Sequence, residues 1–285
     1  SLSLKDETVD LALTVFLNSM FHEGRRAHDG EKFLAAWMHK NADFGKRGGR
    51  KMPRAWRAVQ GWKKKCPPRS RKPMPRPVVH GIAARLVARK KLSMSIWTVV
   101  GNGGYFRPGE LMKLRRGDLI PPTEGVSKYW SILICRQEYQ QRTKTGEGDD
   151  SILWDDPYLQ WMNPIFRVLK EGDQSELVWR FSYPELVKEF KEAATEMGVP
   201  HAVPYMLRHS GPSWDALHRK RTAEEIRRRG RWKTLKSVTR YEKHARVMDE
   251  MQKLPVPLQR YAVTCDLRIA AYVAGGLPVP DLPPR

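Results

Sequence analysis

The chain lacks acid where it has most base. From Phe44 to Gly109 there is no Asp or Glu, while Lys46 to Lys91 carries seventeen Lys or Arg. A solvated face usually mixes both signs, so a one-signed stretch of this length points to phosphate contact. Cysteine is scarce too: Cys66, Cys135 and Cys265 form no CxxC pair. That argues against a disulfide framework or a cysteine-rich zinc site and fits a reducing compartment. No apolar run approaches the ~18 residues of a membrane span, and the N-terminus has no signal-peptide pattern, so no membrane partner is expected. The P-loop pattern GxxxxGK[ST] is missing, and "GNGGYF" is not a phosphate-binding GxGxxG after a strand. No His/Cys spacing suits zinc. Asp149, Asp150, Asp155 and Asp156 flank a hairpin and read as solvated, which leaves metal-dependent phosphoryl transfer weakly supported.

What is present is base and enough apolar residue for a core. The 285 residues hold 52 Lys and Arg against 31 Asp and Glu, a net charge of +21, with 40% apolar residues. The excess suggests a polyanionic partner, nucleic acid before membrane surface. The chain opens at Ser1 without a methionine and is read as compatible with a piece of a longer protein.

Three helical segments are expected over residues 8–65, the last being "PRAWRAVQGWKKK" with Trp56, Val59 and Trp62 packed on one aromatic face. "CPPRSRKPMPRP" (66–77), with five prolines and four basic residues, reads as a semi-extended linker. It separates a helical DNA-binding domain (1–72) from a larger one (73–285). Lys51, Arg54, Arg57, Lys63, Lys64, Arg69, Arg71, Lys72 and Arg76 are the candidate phosphate contacts. "VVHGIAARLVARKK", "SMSIWTVVGNGG" and "YPELVKEFKEAATEMG" read as helices, and Thr222 with Glu225 as a capping box for "AEEIRRR". "KYWSILICRQ" (128–137) and "SILW" read as strands of one hairpin. The Pro-rich tail "LPVPDLPPR" is expected to be loose. The fold class is thus mainly α with a small antiparallel β-sheet, an α+β chain of two domains able to clamp DNA.

Phosphoryl transfer without a metal needs a nucleophile, fixed cations around the transition-state phosphorane and an acid for the leaving oxygen. Arginine suits the cationic role because its planar fork binds two phosphate oxygens and stays charged. Arg107, Lys144, Arg208 and Tyr241 lie on separate segments that can fold together. Tyr241 alone, in register with an apolar stripe, would read as core.

Five segments in order change that reading. "YFRPGELMKLRRGDL", "RTKTGEGDDSIL", "PYMLRHS", "RGRW" and a tyrosine nine residues after Trp232 are similar to the boxes of the tyrosine recombinase (phage integrase) family. The resemblance covers roughly residues 78–250. It implies Arg107 and Arg208 as the two arginines, Glu110 as the glutamate after the first, and Lys144 as the hairpin lysine. It also implies Trp232 in the His/Trp box and Tyr241 as nucleophile. Two positions depart from the pattern: Tyr205 stands where a histidine is expected three residues before Arg208, and Gly211–Pro212 interrupts the segment after it. Pro212 leads to the expectation of a helix that begins at Ser210. His209 and His218 are read as structural.

The resemblance implies site-specific cleavage and rejoining of double-stranded DNA through a 3′-phosphotyrosine link, as in DNA integration by mobile elements. No cofactor is implied, and the enzyme would act as a homotetramer on two DNA sites, with a monomer possible without DNA. The segment "PLQRYAVTCDLRIAAYVAGG" would then dock on a neighbour. Such a protein belongs in the nucleus of a eukaryote, or otherwise in the cytoplasm or nucleoid. The competing readings are a catalytically impaired DNA-binding protein of the same descent, motivated by Tyr205 and Pro212, and a monomeric type IB topoisomerase-like enzyme.

Overall fold

The computed structural model describes residues 5–67, 72–136, 150–239 and 244–284. The chain divides into two compact units, Ser1–Ser70 and Arg71–Arg285.

The first unit is helical. α1 (Asp6–His22), α2 (Ala27–Lys40) and α3 (Pro53–Lys65) bury Leu13, Leu17, Met20, Leu34, Val59 and Trp62 between them. Pro53 opens α3, where its missing N–H costs nothing. The next two N–H groups are capped from a distance: buried Asp10 of α1 accepts from Arg54 N at 3.0 Å and Ala55 N at 2.9 Å. A carboxylate there meets both orphan donors and the positive end of the helix dipole. Trp62 packs as expected, but Trp56 is 40% exposed, because only one side of α3 faces the other two helices.

The second unit is built around α4 (Arg76–Ala88), whose Val78, Val79, Ile82, Ala83 and Leu86 are all buried. α5 (Leu92–Gly103) packs beside it, and the single turn α6 (Pro108–Leu111) follows. A three-stranded antiparallel sheet comes next, in the order β1 (Leu119–Ile120), β2 (Ser131–Ile134), β3 (Asp150–Leu153). Ile132 pairs with Ile152, and both point into the core, with Ile134 two residues on. That alternation fixes the register, since a one-residue slip would turn the apolar side chains outward.

α7 (Asn163–Lys170) and α8 (Tyr183–Glu196) follow, and Gly198 ends the latter at φ +73°. α9 (Leu207–Leu217), α10 (Ala223–Arg229), α11 (His244–Gln252) and α12 (Val256–Val273) complete the unit. The predicted capping box forms, with Glu225 N donating to Thr222 Oγ1 at 3.2 Å and Thr222 N to Glu225 Oε2 at 2.6 Å.

Several expectations are corrected. α9 begins at Leu207, not Ser210, and Pro212 lies inside it. A 3-10 turn at Pro204–Met206 runs straight into the helix, and packing carries it past the bond that proline cannot donate. Gly211 makes that packing possible. A Cβ there would sit 2.2 Å from the carbonyl oxygen of Asn102 and 2.6 Å from the Tyr105 ring. The linker's second half is not extended over the surface. Met74 is buried, and its N–H donates to Ser210 Oγ at 2.9 Å.

α12 lies along α4 of its own unit, burying Tyr261, Ala262, Cys265, Ile269 and Tyr272. Asp266 fastens it, accepting from Arg76 Nε and Nη2, each at 2.9 Å, and lying 2.6 Å from His80 Nδ1. Burial would raise the Asp266 carboxyl, but His80 and Arg76 hold it down to about 2. The tail is not loose either. Val279 and Leu282 pack on the core, and Tyr261 Oη donates to the Pro280 carbonyl at 3.2 Å.

Candidate active site

Arg107 precedes α6 in extended backbone and caps it. Its N–H donates to Glu110 Oε2 at 3.0 Å, and its guanidinium pairs with Glu110 Oε1. Arg208, in the first turn of α9, is only 2% exposed. It donates to the carbonyls of Tyr105 at 2.6 Å and Gly230 at 2.5 Å, and its Nη1 is 4.0 Å from Glu110 Oε2. The Trp232 ring lies 5.0 Å from the Arg208 guanidinium and stacks on Tyr105. Gly230 permits this, since a Cβ there would meet the Trp232 ring at 1.8 Å. The structure therefore brings Arg107 and Arg208 to one carboxylate, Glu110, with Trp232 against Arg208, although the three span positions 107 to 232. Tyr205 lies in the turn leading into α9 with its ring against His209. Lys144 and Tyr241 lie outside the described residues.

A second set of arginines supports this cluster. Arg231 Nη2 donates to Glu110 Oε2 at 2.6 Å. Burial would raise the Glu110 carboxyl, but Arg231, then the Arg107 N–H and guanidinium, then Arg208, together hold it below its usual value. Arg229 reaches under the site to the Gly103 carbonyl at 2.9 Å, the Leu153 carbonyl at 2.8 Å and Asp155 at 3.1 Å. Asp155 also takes Arg221, and Asp215 takes the Tyr105 hydroxyl at 2.5 Å. Burial, then the neighbouring Asp215 charge, push the Tyr105 phenol well up, so it stays a neutral donor.

The aspartates read as solvated are corrected accordingly. Asp155 is tied to Arg221 and Arg229. Asp156 caps the turn at Pro157 and faces Lys220 at 3.4 Å, and Asp150 lies 3.7 Å from Arg231 Nε. Asp149 is outside the described residues. His218 is structural, stacked on Trp214 with Nδ1 3.0 Å from its carbonyl.

Of the candidate phosphate contacts, Lys51, Arg54, Arg57, Lys63 and Lys64 are exposed on or just before α3. Lys63 pairs with Glu31. Lys72 pairs with Glu250 at 2.9 Å. Arg76 does not present its charge outward: Asp266 holds it from one side, and the rings of Tyr158 and Trp214 lie 4.8 and 5.2 Å from it. Arg69 and Arg71 are outside the described residues. Sequence reasoning passed over Arg221, Arg229 and Arg231. In a run such as "RRRGRW" a buried arginine carries the same letter as a solvated one. The only local hint was a Gly–Arg pair directly before the tryptophan.

No protein-family model matches the chain, and no curated protein matches it. Among solved structures it is similar to a XerH site-specific recombinase in a post-cleavage complex with palindromic difH substrate. The identity is 14%, over 88% of this chain and 71% of that one, at a TM-score of 0.53. It is also similar, at 14% identity in each case, to XerA recombinase over 87% of this chain and 93% of that one (TM-score 0.46). The third is XerH in a pre-cleavage complex with difH, over 81% and 71% (TM-score 0.40). The post-cleavage XerH match shows the fold.

Proposed function

Since the chain has the fold of a tyrosine recombinase, we propose that it cuts and rejoins double-stranded DNA site-specifically, with Tyr241 as nucleophile. The observation that carries this reading is the meeting of Arg107 and Arg208 at one buried carboxylate, with Trp232 against Arg208 and Tyr241 nine residues beyond Trp232. In the reaction the Tyr241 phenol gives up its proton to solvent water and its oxygen bonds to phosphorus. The bond to the 5′ oxygen breaks, and that oxygen takes a proton from Lys144. The product is a 3′-phosphotyrosine and a free 5′-hydroxyl. Arg107 and Arg208 hold the non-bridging oxygens as charge grows on them, where preorganised donors count most. The Trp232 indole N–H supports the same phosphate. The covalent link conserves the energy of the bond, so religation needs no ATP. The exposed cations about α3 add phosphate contacts to the duplex, and four copies act on two DNA sites.

The second reading, a DNA-binding protein that has lost cleavage, is favoured by Tyr205 in the place of a histidine and by the deep burial of Arg208. A phenol hydrogen-bonds a phosphate oxygen but cannot shuttle protons near neutral pH as imidazole does. Incubation with nicked suicide duplexes separates the two. The enzyme reading expects a covalent protein–DNA adduct that Tyr241→Phe abolishes while DNA affinity stays within about twofold, because one hydroxyl carries few contacts. Tight binding with no adduct on any suicide substrate selects the remnant.

A further inference from the structure

Arg231 has a backbone its side chain disfavours. Its φ is +55°, in the left-handed region where glycine sits without penalty and a long side chain does not. Its guanidinium is nevertheless 3% exposed and reaches two carboxylates on different segments. Nη2 donates to Glu110 Oε2 at 2.6 Å, and Nε lies 3.7 Å from Asp150 Oδ2 at the start of β3. Nη1 donates to the Arg229 carbonyl at 3.1 Å, which turns the side chain inward. A buried charge held in an unfavourable backbone persists only where its surroundings over-determine it, and such positions cluster at working sites.

Oε2 of Glu110 is engaged by Arg231 and by the N–H of Arg107, and Oε1 by the Arg107 guanidinium. Arg208 is left at 4.0 Å, aimed instead by the Tyr105 and Gly230 carbonyls. We propose that Arg231 is a positioning residue of the cleavage site: it pins Glu110, keeps that carboxylate from drawing Arg208 off its carbonyls, and ties the Arg107 turn to β3. The phosphate then meets two arginines set at a fixed separation. This rests on the strand-cleavage reading above.

The test compares Arg231→Gly and Arg231→Lys in the full chain on nicked suicide duplex, at protein concentrations that saturate the DNA. Arg231→Gly takes φ +55° without strain but loses the Glu110 pair, so it is compared below its lowered melting temperature, where it binds DNA within about threefold of wild type. Its rate of adduct formation falls by roughly 30-fold or more, on the order of a lost positioning contact. Arg231→Lys restores part of that rate, since it keeps the charge but spans one carboxylate at a time. In the Glu110→Gln background, Arg231→Gly adds little further loss, as expected if it acts through Glu110. The acid limb of the adduct rate moves to higher pH in Arg231→Gly, a shift a purely structural contact would not produce. A wild-type rate in Arg231→Gly overturns the proposal while leaving the cleavage reading standing. Equal, additive losses in the double variant overturn the route through Glu110. A wild type that yields no adduct on any substrate removes both readings together.

Discussion

Glu110→Gln tests the electrostatic centre of the site directly. The substitution keeps the shape, and its amide oxygen can still accept from the Arg107 N–H, but it removes the anion shared by three guanidiniums. Glu110 is 7% exposed, Arg208 2% and Arg231 3%, so water replaces little of what is lost. Removing one partner of a buried ion pair costs about 3–5 kcal/mol, because the remaining charge stays buried. The isosteric change and the partly exposed Arg107 place the loss near the lower figure, about 3 kcal/mol. For a unit of this size that corresponds to roughly 6–12 °C in Tm. Scanning calorimetry on the full chain reads it in the transition of the second unit. The pH dependence supplies a second check. The folded Glu110 carboxyl is held below its unfolded value, so its stabilisation is fully present above the unfolded carboxylate pKa, about 4.3. It is lost as pH falls through the lower folded value. The gap between wild type and Glu110→Gln should therefore close on acidification below about pH 4. A Tm change under about 1 °C near neutral pH, or a gap that does not depend on pH, would refute the reasoning.

Two further outcomes follow from the geometry. Gly211→Ala should destabilise the second unit by about 1–3 kcal/mol, the usual cost of overpacking, because its Cβ meets the Asn102 carbonyl at 2.2 Å and backbone cannot step aside. Chemical denaturation measures it, and a neutral result would mean that α5 and α9 do not approach as described. DNA affinity should fall steeply with salt. Lys51, Arg54, Arg57 and Lys64 alone, at ~0.9 released ions each, give a slope of log K against log salt near about −3.6. Replacing the four by alanine should flatten it; an unchanged slope would place the duplex on another face.

The helical frame was readable because its signals are local. Apolar spacing, the Thr222–Glu225 box and the stop at Gly198 each act within a few residues, so the chain carries its own punctuation. Pro212 misled for the same reason. Its cost is local and visible, whereas the packing that offsets it, Gly211 against Asn102 and Tyr105, joins positions about a hundred residues apart. The site divides along the same line. Arg107, Arg208 and Trp232 were singled out through motif resemblance, and the fold sets Arg107 and Arg208 at Glu110 with Trp232 against Arg208. Arg229 and Arg231 had no motif to announce them, and their acceptors, Gly103, Leu153, Asp155 and Glu110, come from three other segments.

Charge shows the limit of a linear reading most clearly. The acid-free stretch from Phe44 to Gly109 suggested a face given over to phosphate. In three dimensions at least seven of its cations meet carboxylates from outside it. Arg50 takes Asp6, Lys63 takes Glu31, Lys72 takes Glu250 and Arg76 takes Asp266, while Arg85, Arg89 and Lys91 share the acidic side of α8. Half-buried pairs of this kind organise helices rather than bind DNA, since breaking them to reach a phosphate would exchange one counter-charge for another. The stretch therefore divides in sequence order. Its first part, up to Lys65, leaves Lys51, Arg54, Arg57 and Lys64 exposed, and its last part, from Arg76 to Lys91, fastens α8 and α12. Neutralising Arg85 or Arg89 should accordingly lower stability before it lowers DNA affinity, the reverse of what the same change does at Arg54 or Arg57.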